Sequence, residues 1–516
     1  MSVGGDAPLI LSREDGEGSP RSSITRGGSF APLRTSDRQL AVWLALLTFG
    51  TYAYFQAGGG WNQNSQFDLT RAIVEQHTFA IDAYAPNTGD TSRANGHVYS
   101  NKAPALSWIA AIPYALLRVA GVDANQVSGL EFSVYVCTLF AVAIPGALIP
   151  WMLYGYARRR DISAPWAATI ALTAAFATEL FPYATIFMVP VTCGALLLFA
   201  LIASRDAAAG FAAALATAMN YLCAPALIIL GLTRPRKLRY AAGAIAPLVL
   251  LAIYQKLCFG SFLTASVQKL PNRFLTKGAA FGLFTLPTRE AVWGISFSPY
   301  RGLFYFAPVL IAFVAGAIFW LIDRRDRLEL AAIVLIFIIF FVTNSSFNGW
   351  EGGFGIGARY LVPAIPLLML VILRCRGWMR PVVIALAIIS FAINFAATAV
   401  DPQPSGTIPR PLSQYIVPLL IDGHFSPDVP ITPPWSAASF TGHTSVNRLT
   451  FDEAIVFSRH PPGSPASEWT SFNLGEPMFG AGDARSLIPI ALLMLLGAAA
   501  IGWKARSIGE RPSRPQ

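Results

Sequence analysis

Between Asp68 and Lys102 the chain gathers side chains able to move a proton and to hold an anion. They are Asp68-Leu69-Thr70-Arg71, then Asp82 and Asp90, then Gly96-His97-Val98-Tyr99-Ser100-Asn101-Lys102. Farther along stand Tyr300-Arg301, Trp350-Glu351 and Arg359-Tyr360. A carboxylate in a partly dry pocket can take a proton from a hydroxyl, and Arg can hold phosphate oxygens through paired N–H bonds. Each residue also has a plain structural reading. Asp68 reads as the opening residue of a short amphipathic helix through Glu75, where the helix dipole favours an acid. Arg301 and Arg359 begin apolar runs, where long basic side chains reach for a membrane interface. His97 reads equally as a loop histidine, and Lys256 and Glu179, near the ends of apolar runs, as interfacial residues.

These residues are set in a chain whose surface water cannot solvate. Of its 516 residues 54% are hydrophobic and 13% charged, where a soluble domain carries about 25% charged; mean hydropathy is +0.51. Many apolar runs approach or exceed the roughly 20 residues that cross a bilayer. The expected fold is therefore an all-α polytopic membrane protein with the lipid bilayer as its solvent. A soluble multidomain enzyme, a secreted disulfide scaffold and a disordered protein are excluded. The net charge of +10 lies in short clusters between apolar runs and in the tails, not on a basic face interleaved with aromatics, so no nucleic-acid partner is expected. Such clusters mark cytoplasmic loops. The five cysteines lie in or at the end of apolar runs, far from metal-site spacing, and read as packing residues.

The Arg and Lys clusters order the spans. Residues 1–37 read as a disordered cytoplasmic tail, followed by a first span at about 40–57. The run at 103–120 carries Pro104, Pro113 and Arg118 and reads as a helix lying on the outer surface, which leaves Arg158, Arg159 and Arg160 inside after a span at 130–156. Further spans are expected at 163–181, 183–203, 238–258, 299–322, 329–346, 359–373, 381–400 and 486–503, with 207–232 folded as two short helices around Asn220 and Pro225. The sum is about twelve spans with both termini cytoplasmic in an inner or plasma membrane. Segments 58–129, 259–298, 344–358 and 401–485 then lie outside, and the conspicuous polar residues with them.

Two of these stretches resemble a known family. Asp68-Leu69-Thr70-Arg71 after the first span, and Tyr99-Ser100-Asn101-Lys102-Ala103-Pro104 before a surface helix, are similar to the aspartate and Tyr…Lys-Pro-Pro signatures of the GT-C glycosyltransferases. The nearer likeness is to the family 39 branch of protein O-mannosyltransferases and lipid A aminoarabinose transferases. Phe297-Ser-Pro-Tyr300-Arg301 fits the same pattern, and Gly357-Ala-Arg359-Tyr360-Leu-Val-Pro363 resembles the Arg-Tyr-Leu-Leu-Pro start of a late span. Ala103 stands where the family has its first proline, and Leu69 where many members have a second acid.

The resemblance implies a GT-C-like catalytic core over 38–400, a cap over 401–485 and a final span and tail over 486–516. It implies a sugar donor linked to a polyprenyl phosphate and an extracytoplasmic acceptor that is a lipid, glycan or protein. Asp68 is then the expected base, with Asp82 and Asp90 as second acids. Lys102, Arg301 and Arg359 are the phosphate candidates, and Arg71, His97, Tyr99, Glu351 and Tyr360 are the further substrate-binding candidates. Gly352-Gly353-Phe-Gly355-Ile-Gly357 has no strand before it, so it reads as a loop carrying Glu351 and Arg359 to the site rather than a nucleotide cradle. No Asp-x-Asp pair stands in the external segments, so no metal or other cofactor is expected unless Asp68, Asp82 and Asp90 converge. The rival readings are an O-antigen-ligase-like lipid-carrier enzyme and a transporter or lipid flippase.

Overall fold

The computed structural model describes residues 33–271, 274–406, 408–421, 423 and 469–509. Most of residues 1–37, and the stretch 425–465 of the expected cap, lie outside the described residues. The chain is a helical membrane protein. Among the described residues five helices are long and apolar enough to cross a bilayer: Val127–Arg158, Lys237–Phe259, Arg327–Ser346, Met379–Val400 and Ala484–Ile508. Helices of 10–17 apolar residues accompany them, among them Ala164–Phe176, Pro190–Ile202, Asp206–Met219 and Pro308–Asp323. On Lys237–Phe259 a row of large side chains, Leu238, Ile245, Val249, Leu250, Ile253 and Leu257, is left exposed, the surface expected where lipid replaces water.

Helix α1 (Thr35–Ala53) starts inside the stretch assigned to the tail. Its polar first turn is held by Asp37, which accepts from Arg158 Nε at 2.8 Å and from the Tyr154 hydroxyl at 2.7 Å. Small residues let neighbours approach: a Cβ on Gly210 would fall 1.9 Å from the Tyr240 carbonyl oxygen, and one on Gly243 the same distance from that of Ala207. This seals Asp206–Met219 against Lys237–Phe259 by backbone proximity. The expected break in 207–232 occurs at Asn220, whose Oδ1 accepts from the Leu222 N–H at 3.1 Å before Ala224–Thr233 begins. The run expected at 299–322 is itself broken at Ala307, between short turns and the helix Phe313–Asp323. The segment 401–485, expected to be polar, contains the short apolar helix Leu412–Ile421.

The only strands among the described residues sit where the site is built. Strand β1 (Phe55–Gln56) follows α1 directly and pairs antiparallel with Phe472–Asn473, far along the chain. Helix α2 (Trp61–Glu75) comes next. A hairpin of β2 (Thr91–Ala94) and β3 (His97–Ser100) turns through Asn95 and Gly96, both at positive φ, the conformation such a two-residue turn demands. Helix α3 (Ala105–Val119) then packs along α2, with Ile112, Leu116 and Val119 exposed.

Candidate functional site

Helix α2 fixes the site. Gly58-Gly59-Gly60 stops the preceding strand, Gly60 is extended at φ −178°, and the helix starts at Trp61. Asp68 therefore sits in the middle of α2 and does not open it, because the glycines, not the acid, set the boundary. With about 100° per residue, Asn62, Gln63 and Gln66 share one face, and with Trp61 in the first turn they line a cavity of about 850 Å³. Asp68, about 200° round from Gln66, points away from it.

The hairpin supplies the charged wall. Pairing of Thr91 with Ser100 sets Asp90 beside Asn101 and Lys102. Lys102 Nζ lies 2.8 Å from Asp90 Oδ2, and Asn101 Nδ2 donates to Asp90 Oδ1 at 3.3 Å. Ser65 Oγ on α2 donates to the Asp90 carbonyl at 2.6 Å and lies 2.7 Å from Ser100 Oγ, so the hairpin is pinned to the helix. Burial alone would raise the Asp90 carboxyl, but the charge of Lys102, with Arg359 behind it, outweighs that and holds it below the ordinary range.

Arg359 enters from the glycine loop. Gly352, Gly353, Gly355 and Gly357 all have positive φ, and a Cβ on Gly355 would come 2.5 Å from the Tyr183 hydroxyl. The loop is thus built from glycines by need. Arg301 lies beneath it, 1% exposed. Its Nε donates to the Glu351 carbonyl at 3.0 Å, one terminal nitrogen to the Gly353 carbonyl at 2.7 Å and the other to that of Tyr300 at 3.2 Å. With its N–H groups committed to carbonyls, Arg301 holds the loop that presents Glu351, Arg359 and Tyr360.

Of the sequence-predicted residues, Asp90, Lys102, Glu351, Arg359 and Tyr360 line the cavity together. Asp68, Arg71, Asp82, His97, Tyr99 and Arg301 do not. Asp68 is buried behind α2, where Asn87 Nδ2 donates to its Oδ1 at 3.1 Å while Oδ2 has no partner. Burial pushes its carboxyl up to about 8, against the smaller pulls of Asn87 and Arg71. Arg71 pairs with Glu75 at 3.2 Å, donates to Asn125 Oδ1 at 2.7 Å and covers the Tyr84 ring. Asp82 sits on the surface, 2.6 Å from His97 Nδ1, and accepts from the Val98 N–H. Tyr99 packs in an aromatic group with Tyr254 and Phe259. Asp68, Asp82 and Asp90 thus have separate surroundings, and among the described residues no three His, Cys, Asp or Glu gather as metal ligands.

Several cavity residues were not singled out from sequence: Asn62, Gln63, Gln66, Asn101, Asn344, Asp401, Gln403 and Trp469. Gln63 and Gln403 hydrogen-bond to each other across the cavity edge, and Gln403 Nε2 donates to the Gly58 carbonyl at 2.9 Å. The signal available was the run Trp61-Asn-Gln-Asn-Ser-Gln66, strongly polar directly after an apolar helix. The cavity also has apolar lining: Met219, Leu222, Pro225, Leu270, Phe284 and Phe347. No family model, curated protein or solved structure matches the chain.

Proposed function

We propose that this chain is a membrane glycosyltransferase of the GT-C type, moving a sugar from a polyprenyl phosphate to an acceptor hydroxyl on the extracytoplasmic side. The observation that carries the reading is one cavity lined both by Asp90, Lys102 and Arg359 and by the apolar Leu222, Pro225, Leu270 and Phe347. Charged and apolar lining together suit an amphiphile with an anionic head.

In the transfer the bond between sugar C1 and the phosphate oxygen breaks, and a bond forms between C1 and the acceptor oxygen. The lipid phosphate leaves with one more negative charge than it carried as a diester. Lys102 and Arg359 are placed to stabilise that developing charge. Asp90 takes the acceptor proton. As Lys102 turns toward the phosphate, its hold on Asp90 weakens and the carboxylate becomes a better base. Arg301 positions the loop and does not touch substrate.

The test is release of polyprenyl phosphate from a radiolabelled sugar-lipid in membranes containing the protein, with the label appearing in a second product. Acceptor-dependent release, lost in Asp90→Asn, supports the reading. Movement of the lipid across vesicles without transfer would favour a flippase instead. Sidedness is checked by impermeant thiol labelling: cysteines placed near Arg159, Arg325 and Arg376 stay shielded in intact cells, and one at Asn95 reacts.

A further inference from the structure

Residues 256–297 border the cavity and carry a surface that water does not explain. Val267, Leu270, Phe274, Leu283 and Phe284 line the cavity. The segment is pinned to its neighbours: Ser266 Oγ donates to the Asn101 carbonyl at 2.9 Å, Asn348 N–H to the Leu283 carbonyl at 2.8 Å and Thr285 N–H to the Ser346 carbonyl at 2.8 Å. Elsewhere Leu263, Phe281 and Leu286 are 87%, 73% and 85% exposed, and Phe262, Trp293 and Phe297 are exposed with them. Phe281 has φ 53°, in the left-handed region, which a bulky residue adopts only at a cost. Its turn, closed by Thr276 N–H to the Gly282 carbonyl at 2.8 Å, nevertheless holds the ring outside.

The same stretch is basic. Lys256, Lys269, Arg273, Lys277 and Arg289 stand against one acid, Glu290, whereas 58–129, which also borders the cavity, has five acids to four bases. Lys256, Lys269, Lys277 and Arg289 are exposed, and among the described residues none of them is in an ion pair. Cations and large apolar side chains alternate along the chain: Lys256 Nζ lies 5.8 Å from the Phe262 ring centre, and Lys277 precedes Phe281 as Arg289 precedes Trp293. A membrane span cannot account for this pattern, because residues 260–288 run mostly in turns and such backbone does not enter hydrocarbon. The headgroup layer suits both kinds of side chain, since apolar groups reach the acyl boundary there while Lys and Arg meet phosphate. We propose that residues 256–297 dock on the bilayer surface at the cavity's side by binding the headgroups of anionic phospholipids. Docking holds the apolar cavity wall at the leaflet, and it stands whether or not the cavity transfers a sugar.

The five native cysteines are buried, so Leu263→Cys in the full chain takes a single environment-sensitive dye. The labelled protein is placed in nanodiscs of neutral phosphatidylcholine and in nanodiscs containing about 30% phosphatidylglycerol. Acrylamide, an uncharged aqueous quencher, should quench the dye at least about threefold less where phosphatidylglycerol is present. Raising salt from about 0.05 to about 0.5 M should remove that difference by screening. Lys269→Gln, Lys277→Gln and Arg289→Gln together should remove it as well, with the melting midpoint unchanged; the salt measurement needs no variant of these residues. Equal quenching in the two nanodiscs overturns the proposal, whether strong, as for a segment in water, or weak, as for apolar insertion alone or cover by a second copy of the chain. A difference that survives the salt, or that survives in the folded triple variant, overturns it too.

Discussion

The two sides of α2 each meet an acid and a base and differ in what holds those groups. On one face Gln66, with Asp90 and Lys102 pinned beside it through Ser65, borders a cavity of about 850 Å³. On the other, Asp68, Arg71 and Glu75 meet Asn87, Asn125, Tyr84 and Tyr114 in a packed interior. Each side thus has an acid and a base: Asp90 and Lys102, brought together by the hairpin, and Asp68 and Arg71 on the helix itself. On the cavity face the acid is kept ionised by an ammonium group 2.8 Å away. On the packed face the acid is uncharged at neutral pH and the Arg is saturated by fixed partners. Charged residues near a membrane surface are therefore not equivalent candidates, and an α-helix separates them by its own turn.

The comparison breaks most readily at Asp90. Asp90→Asn should lower turnover by about a hundredfold or more, the usual contribution of a positioned base, while donor binding stays within a few fold or tightens. Wild-type turnover in that variant would move the base to Glu351 or Asp401. Arg359→Gln should weaken donor binding by about tenfold, as loss of a charge-assisted hydrogen bond does, measured against polyprenyl phosphate. Asp68→Asn should leave turnover within about threefold and show itself in stability instead. The folded Asp68 carboxyl keeps its proton up to about 8, whereas in the unfolded chain it loses it near ~4. The wild type thus loses stability as pH rises through that window, by a few kcal/mol at most, roughly. Asp68→Asn cannot titrate, so it should melt higher than wild type at pH 8 and equally at pH 4. The smallest effect belongs to Asp82→Asn. Its partner His97 is 56% exposed, and a solvent-exposed pair contributes about 1 kcal/mol or less, so transfer should remain within about twofold.

How much of this was legible follows from how each residue does its work. Lys102, Arg359 and Tyr360 stand in short ordered motifs, and charge in an apolar chain is conspicuous. Asp90 was visible as an acid but ranked behind Asp68, because its rank depends on the hairpin register, and register is a matter of three dimensions. Arg301 was visible as a cation, yet its role turns on three carbonyls, two of them 50 and 52 positions away and one adjacent in the chain, which no spacing announces. Gln66 and Asn101 were passed over because neutral amides are unremarked in a helix or a loop; only the cavity they line sets them apart. The helices were legible through their apolar runs, and the interruptions at Asn220 and near Ala307 show the limit: one carries a polar capping side chain in its sequence and the other does not.

The pairing of β1 with Phe472–Asn473 has a consequence in time. Gly58 N–H donates to Ser471 Oγ at 2.8 Å across 413 positions, and the Tyr54 hydroxyl reaches the Ser486 carbonyl. At about 5–20 residues per second, the ribosome delivers Ser471 roughly 20 to 80 s after Gly58. Throughout that interval Gly58-Gly59-Gly60 and the first turn of α2 are without the Trp469–Ser471 wall. A chain ending before Trp469 therefore keeps Asp90, Lys102 and Arg359 yet lacks that wall, and the nascent chain stays open on this side until residues 469–471 arrive.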